Sequence, residues 1–378
     1  MTPNPDVIVV GAGPAGLACA ATMRGSGLEV AVLEKADNVG VMWRRHYDRL
    51  HLHTHRRHSG LPGLPMPLDF PAYPSRAQMV AYLESYASRF QLAPIFNTEV
   101  SRVVREGPLW RAELARVTVS APIVVVATGI ANAPYVPSWS GMQRYAGRIV
   151  HSSAYRNPDA YTARRVLVIG FGNSGGEIAL DLASAGVDVA LSVRGPVQVI
   201  PRDLFGIPIL SWAILYQRLP ARLVDAINMP VLRLAVGNFE KLGLRRAAKG
   251  PRRMVEEDGR VPLIDIGTLA GIRAGAIKLR GGIERFTADG VVFVDGARET
   301  FDGVIVATGF RPDLRQLIPD VEGIFDPHGM PLVTGRPTGA PGLFFCGQIT
   351  APTGQLREIG IEAGRIAQFA KAYLSSAA

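Results

Sequence analysis

Apolar and polar positions along the chain fall into two runs of the same design. Residues 7–10 are four consecutive β-branched apolar positions, the pattern of a strand buried on both faces of a parallel sheet. A glycine-rich turn follows at once. Residues 15–24 then predict a helix, and residues 30–33 a second short strand. The succession returns further on, with a strand at 166–169, a glycine turn, a helix to residue 185 and a strand at 188–193. Residues 97–104, 109–114 and 117–121 predict an antiparallel meander. Residues 40–74 read as irregular, 75–90 as a helix, 277–280, 291–294 and 343–346 as strands, and 357–373 as a closing helix. Two further buried strands, 123–127 and 304–307, each run into the same tripeptide, Ala127-Thr128-Gly129 and Ala307-Thr308-Gly309. The expected fold is α/β, with two Rossmann-like dinucleotide-binding domains and the second inserted into the first. Residues 1–140 and 310–378 form the first and 141–309 the second, which carries an apolar helical insertion at 204–236.

The turns carry the chemistry. In Gly11-Ala-Gly13-Pro14-Ala15-Gly16 the first glycine permits a tight turn and the second lets backbone approach a pyrophosphate. The third brings helix against strand, and the helix N-terminus presents free N–H groups to phosphate. Glu34 ends the next strand, where a carboxylate takes both hydroxyls of a ribose. The second turn is Gly170-Phe-Gly172-Asn173-Ser174-Gly175. Its acid is missing: Ser192 and Arg194 stand there instead, and a guanidinium favours the 2′-phosphate of NADPH. Small residues at 127–129 and 307–309 let the chain pass close to a cofactor. Two nucleotides held face to face imply electron transfer.

Composition removes other classes. An apolar share of 48% with 19% charged residues describes a globular protein with large cores. The N-terminus has no basic segment or cleavage site of a signal peptide, so the expected compartment is the cytosol. Cys19 and Cys346 form no C-x-x-C, which disfavours a dithiol redox centre. The net charge of +9 comes from scattered arginines without interleaved aromatics, so nucleic acid is not the expected partner. His46, His51, His53, His55 and His58 crowd one irregular stretch, but no acid or cysteine cluster completes a metal site. No metal is expected, and the stretch is read as a loop over a cofactor. The apolar run 204–217 is too short to cross a bilayer. The insertion 204–236 is left open between a substrate pocket, plain core, a homodimer contact and a membrane surface.

Between the two turns stands a third motif, Tyr145, Gly147, His151 and Tyr155. The three in this order resemble the class B flavin-dependent monooxygenases, which include flavin-containing monooxygenases and Baeyer–Villiger enzymes. Their fingerprint is F-x-G-x-x-x-H-x-x-x closing in an aromatic residue. Within that family the chain is similar to the YUCCA-type indole-3-pyruvate monooxygenases. The likeness lies in Tyr47-Asp-Arg-Leu-His-Leu-His53, Phe70-Pro-Ala-Tyr-Pro-Ser75, Gly172-Asn-Ser-Gly175, Gly237-Asn-Phe-Glu-Lys-Leu-Gly243 and Leu263-Ile-Asp-Ile-Gly267. The resemblance implies FAD on Gly11, Gly13, Pro14, Ala15, Gly16 and Glu34, with Lys35, Trp43, His53, Val100, Ala127, Thr128, Gly129, Gly347 and Gln348 beside it. It implies NADPH on Gly170, Gly172, Asn173, Ser174, Gly175, Ser192, Arg194, Ala307, Thr308 and Gly309. His55 stands roughly where many flavin-containing monooxygenases place an asparagine, and it is the one candidate catalytic side chain. Gly347-Gln348 replaces the familiar Gly-Asp, so the flavin would meet an amide. The implied chemistry is hydride transfer from NADPH to flavin, then addition of oxygen at C4a to give a peroxide that oxidises a small-molecule substrate. A 2-oxo acid undergoing oxidative decarboxylation is the leading substrate class, with Arg56 or Arg57 as candidate carboxylate partners. N- or S-oxygenation, an NADPH oxidase releasing hydrogen peroxide and a non-catalytic flavoprotein sensor are the alternatives.

Overall fold

The computed structural model describes residues 5–377. Contacts divide the chain into two units, one built from Met1–Arg44, Thr54–Ala133 and Phe310–Ala378, the other from Arg45–His53 and Pro134–Gly309.

The first unit is organised on a four-stranded parallel sheet in the order Leu343–Phe345, Ile123–Val126, Val7–Val10, Val30–Leu33. Every residue of Val7–Val10 and Ile123–Val126 is buried, as the unbroken apolar runs require of strands covered on both faces. Helix Pro14–Gly25 covers one side and packs along helix Gln355–Ala377. The meander forms a separate antiparallel sheet, Arg102–Glu106, Leu109–Glu113 and Thr118–Ala121. Its first strand starts at Arg102 rather than at residue 97, because Asn97 takes a left-handed φ of 53° that breaks extended pairing. Trp110 of this sheet is fully buried, and its indole N–H donates to Pro341 O at 2.9 Å.

The irregular stretch is fixed by its neighbour. Helix Arg76–Arg89 opens with a capping box, Ser75 Oγ accepting from Gln78 N and Gln78 Oε1 accepting from Ser75 N. The Tyr82 hydroxyl donates to Leu64 O at 2.6 Å and accepts from Leu61 N at 2.7 Å, while Tyr86 donates to Pro62 O at 2.8 Å. Two buried phenols thus satisfy backbone groups that a loop would otherwise leave to water.

The second unit carries a five-stranded parallel sheet in the order Ile277–Arg280, Asp188–Ser192, Arg165–Ile169, Gly303–Val306, Arg148–His151. Its helix Asn173–Ser184 holds Ile178, Ala179 and Leu182 in the core. The insertion is not helical throughout. It starts with a two-residue hairpin, Asp203–Leu204 against Ile207–Pro208, whose turn residues Phe205 and Gly206 have φ of 54° and 73°. Two helices follow, Ile209–Leu215 and Ala221–Val236, the latter with Pro230 inside it.

Residues 45–53, assigned to the first domain from the sequence, pack with the second unit. Tyr47, Leu50 and Leu52 are buried. Arg49 donates to Ser184 Oγ at 3.2 Å and lies 3.7 Å from Asp181. Asp48 N donates to Arg156 O at 2.8 Å.

Candidate functional site

Each unit presents one glycine cradle, and the two are built alike. Gly11 has φ of 108° and Gly170 of 115°, a left-handed conformation that favours glycine. A Cβ on Gly11 would stand 2.7 Å from Ala127 O, and one on Gly170 would collide with Ala307 O. The Ala-Thr-Gly tripeptides therefore touch the turns in the same way in both units. The backbone repeats the match: Gly11 N donates to Leu33 O at 2.8 Å and Gly170 N to Ser192 O at 3.0 Å. Ala127 N donates to Val10 O at 2.9 Å and Ala307 N to Ile169 O at 2.8 Å. The third glycines, Gly16 and Gly175, lie so close to Gly11 O and Gly170 O that any side chain would clash.

The middle glycines differ. Gly13 and Gly172 are the N-caps of their helices, in extended conformation and without a side-chain cap. A Cβ at either would meet nothing within 4 Å. Open space in front of uncapped helix N–H groups is room for an anion, so both cradles fit a diphosphate.

In the first unit Glu34 is buried, and its two oxygens accept from Ala12 N at 2.6 Å and Ala36 N at 2.9 Å. These bonds orient the carboxylate and leave it further acceptor capacity for ribose hydroxyls. Lys35 is exposed beside it, and Trp43 is half-buried in the short helix Val41–Arg45. Val100 packs against the apolar core around Trp110. Gln348 is 1% exposed and bonded to the first tripeptide: with its amide oxygen turned inward it accepts from Thr128 N and Gly129 N, both at 3.2 Å. Gly347 is wedged between two helices, since a Cβ there would lie 3.2 Å from Ala15 Cβ and 3.0 Å from Ile359 Cγ1. Its N–H donates to the buried Glu362 at 2.7 Å, and burial raises the pKa of that carboxyl. Glu362 also accepts from Thr334 Oγ1 at 2.8 Å. The sequence reading missed it, because an acid inside a helix looks like an ordinary surface residue.

His55 acts as a cap. Its Nδ1 accepts from Arg57 N at 3.1 Å at the start of the turn Arg56–His58, and its ring stands edge-on to Tyr73 at 5.7 Å. Arg56 donates to Phe70 O and to other carbonyls of that loop, whereas Arg57 is exposed. The histidine-rich stretch gathers no group of three or more metal-ligating side chains among the described residues.

In the second unit Asn173 and Ser192 use their side chains on the fold: Asn173 Oδ1 accepts from Ile264 N and Ser192 Oγ donates to Gly281 O, both at 2.8 Å. Arg194 is exposed at the strand end, and Arg245, which the sequence did not single out, donates to its carbonyl at 3.3 Å. A cavity of about 490 Å³ opens there, lined by Val193, Gly195 and Arg245 among others. Two guanidinium side chains at the position of a missing acid suit a 2′-phosphate.

His53, expected with the first cradle, points into the second unit. Its Nε2 pairs with Glu177 Oε1, a carboxylate 1% exposed on helix Asn173–Ser184. Burial, then the charge of Glu177, holds the Tyr47 hydroxyl far above its ordinary pKa, and Ser174 also bonds to it. The legible signal was a lone acid among small and apolar helix residues.

The third motif is structural in this unit. The Tyr145 hydroxyl donates to Phe301 O at 2.7 Å, and burial pushes its pKa up to about 12. Gly147 is required because a Cβ there would run into the Tyr145 ring. His151 Nε2 donates to Gly309 O at 3.0 Å while Nδ1 accepts from Ser153 N at 3.1 Å, which makes the ring a neutral Nε2–H tautomer. Burial lowers its pKa. Gly309 is further pinned by Tyr135, whose N–H donates to the same carbonyl at 3.0 Å, and Thr308 Oγ1 donates to Tyr135 O. Tyr155 donates to Asp181 Oδ2 at 2.8 Å.

Two parallel sheets, each with a diphosphate cradle at a point where neighbouring strands diverge in sequence order, define a flavoprotein oxidoreductase with a second nucleotide site. Comparison narrows the class. Residues 8–203 match the family described as pyridine nucleotide-disulphide oxidoreductase, a little over half of the chain. The chain is 40% identical over 331 residues to "Indole-3-pyruvate monooxygenase YUCCA1" of Oryza sativa subsp. japonica, covering 86% of this chain and 82% of that protein. Among solved structures, a mutant flavin monooxygenase from Stenotrophomonas maltophilia aligns with TM-score 0.76 at 25% identity, over 98% of this chain and 99% of that one. A steroid monooxygenase bound to NADP shares the fold, with TM-score 0.75 at 21% identity over 100% and 87%. The chain belongs to the flavin-dependent monooxygenase family that includes the YUCCA-type enzymes, a family that works with FAD and NADPH. Cys19 and Cys346 are both buried and are not joined in a disulphide.

Proposed function

We propose that the chain catalyses the NADPH- and O2-dependent oxidative decarboxylation of a 2-oxo acid, with indole-3-pyruvate as the substrate to test first. In balance, R–CO–COO⁻, NADPH, O2 and H⁺ give R–COO⁻, CO2, NADP⁺ and H2O. The reading is carried by the paired cradles, one with Glu34 and one with Arg194 at the ribose position. The substrate class is brought to this chain by the rice relative, whose name specifies indole-3-pyruvate.

FAD belongs on the cradle of Gly11, Gly13 and Gly16 with Glu34 on its ribose, and NADPH on that of Gly170, Gly172 and Gly175 with Arg194 and Arg245 on its 2′-phosphate. Bound FAD supplies the redox chemistry, taking electrons from NADPH and passing one atom of O2 to the substrate. The chain's own residues bind and orient. Gln348 fixes the 128–129 peptides and Glu362 holds the Gly347 N–H, which sets that backbone before any ligand arrives. His151 holds the second tripeptide through Gly309. His55 we assign to positioning its loop, and Arg56, already bonded to loop carbonyls, to the same task, which leaves Arg57 as the candidate for the substrate carboxylate.

Purified protein incubated with NADPH, O2 and indole-3-pyruvate should form indole-3-acetate in step with NADPH oxidation. Rapid sulfoxidation of a thioether without indole-3-acetate would reassign the enzyme to oxygenation of soft nucleophiles. Peroxide in stoichiometric yield whatever the substrate would make it an oxidase. Colourless protein that refuses flavin on reconstitution would reject the reading altogether.

A further inference from the structure

Helix Ala221–Val236 takes no part in either cradle, yet it is firmly mounted. Val224, Leu232 and Val236 are buried, and the Asp225 carboxylate accepts from Arg252 N at 3.0 Å and Arg253 N at 3.1 Å. The Arg252 side chain donates to Tyr216 O at 2.8 Å and Gln217 O at 2.9 Å, which fixes the preceding turn.

The outer face is apolar and uncovered. Leu223, Ile227 and Leu234 are 47%, 46% and 83% exposed, and Pro230 is exposed between them. At about 100° per residue these four positions fall within about 60° of one another around the helix. In the helix and turn that precede it, Leu215 and Leu219 are also exposed, at 67% and 38%. By the same geometry Arg222 and Arg233 share one flank of the stripe, and Arg218 precedes it. All three arginines are exposed, and none has an acidic partner among the described residues. The helix's one acid, Asp225, is buried on the opposite side.

A continuous exposed apolar stripe marks an interaction surface. Its charge selects the occupant. A second copy meeting the same face across a two-fold axis would bring the arginines of one copy toward those of the other, and the helix itself offers no exposed acid to relieve them. A surface of anionic lipid satisfies both features: leucines enter the headgroup boundary, and arginine stems lie along the apolar face with guanidinium groups at phosphate. No helix among the described residues is long and apolar enough to cross a membrane, so the contact lies on the bilayer and not through it. We propose that Leu215, Leu219, Leu223, Ile227 and Leu234, with Arg218, Arg222 and Arg233, form a docking face for anionic membrane surfaces.

The test is co-sedimentation of the full chain with phosphatidylglycerol vesicles and, separately, phosphatidylcholine vesicles. Binding to the first, weakened by salt, and little to the second is expected. Reversal of the three arginines to Glu should lower the partition coefficient at least a hundredfold, since loss of each positive charge alone is worth roughly fivefold. Leu223→Ser with Ile227→Ser should remove the binding that survives raised salt. Arg222→Lys with Arg233→Lys keeps the charge and should keep the binding, which guards against misfolding of the reversed variant. Failure to bind phosphatidylglycerol at low salt, equal binding to both lipids, or binding indifferent to the apolar substitutions would overturn the proposal. So would a concentration-dependent dimer without vesicle binding that Leu223→Ser and Ile227→Ser abolish, because the face would then belong to a second copy.

Discussion

Gly172→Ala and Gly175→Ala change the same turn by one methyl group, yet they should fail in different ways. Gly172 has φ of −94° and ψ of −176°, which alanine adopts freely, and its Cβ would meet nothing within 4 Å. The unliganded fold should therefore tolerate the change, with stability unaltered or raised by about 0.5 kcal/mol from the stiffer unfolded chain. The methyl group nevertheless fills the space in front of the helix N–H groups. Loss of one charge-assisted hydrogen bond to phosphate costs about 1.5–3 kcal/mol, and roughly 1.4 kcal/mol is a factor of ten in affinity. The Kd for NADP⁺ should rise by about ten- to a hundredfold. At Gly175 a Cβ would drive into Gly170 O within the strand-to-helix turn. There the helix must move off the sheet, and destabilisation of about 2–4 kcal/mol should precede any binding defect. Thermal melting of the FAD-loaded protein and NADP⁺ titration by calorimetry separate the two outcomes. Should Gly172→Ala melt well below the parent, or bind NADP⁺ as tightly, the second cradle would not be a phosphate site.

Other variants test the remaining parts. Glu34→Gln keeps an acceptor for Ala12 N but removes the charge, so FAD affinity measured by flavin release should fall about ten- to a hundredfold. Arg194→Ala should raise KM for NADPH about tenfold or more and leave KM for NADH little changed, and adding Arg245→Ala should abolish the preference. His151 is neutral when folded, and burial depresses its pKa, so the unfolded chain takes up the proton first as pH falls. Its contribution is complete above the free value of about 6.5 and shrinks below it. The fall in Tm between neutral and mildly acidic pH should accordingly be smaller in His151→Gln, and an identical slope would remove the neutral ring from the account.

What the sequence determined by itself was everything that depends on neighbours along the chain. Strand, glycine turn and helix are successive residues, and in both units the third glycine is dictated by contact with the first. The closing tripeptides and the arginine in place of an acid were legible for the same reason. Tertiary structure decided whatever depends on which side chains meet across long separations. Residues 45–53 join the second unit because Tyr47, Leu50 and Leu52 bury there and His53 finds Glu177, a pairing that spans 124 positions. Glu362 reaching Gly347, Arg245 beside Arg194, and the outward stripe of Ala221–Val236 were likewise silent in the sequence. Apolar periodicity tells that a helix has a face to bury; it does not tell, when two faces are apolar, which of them the rest of the chain will cover.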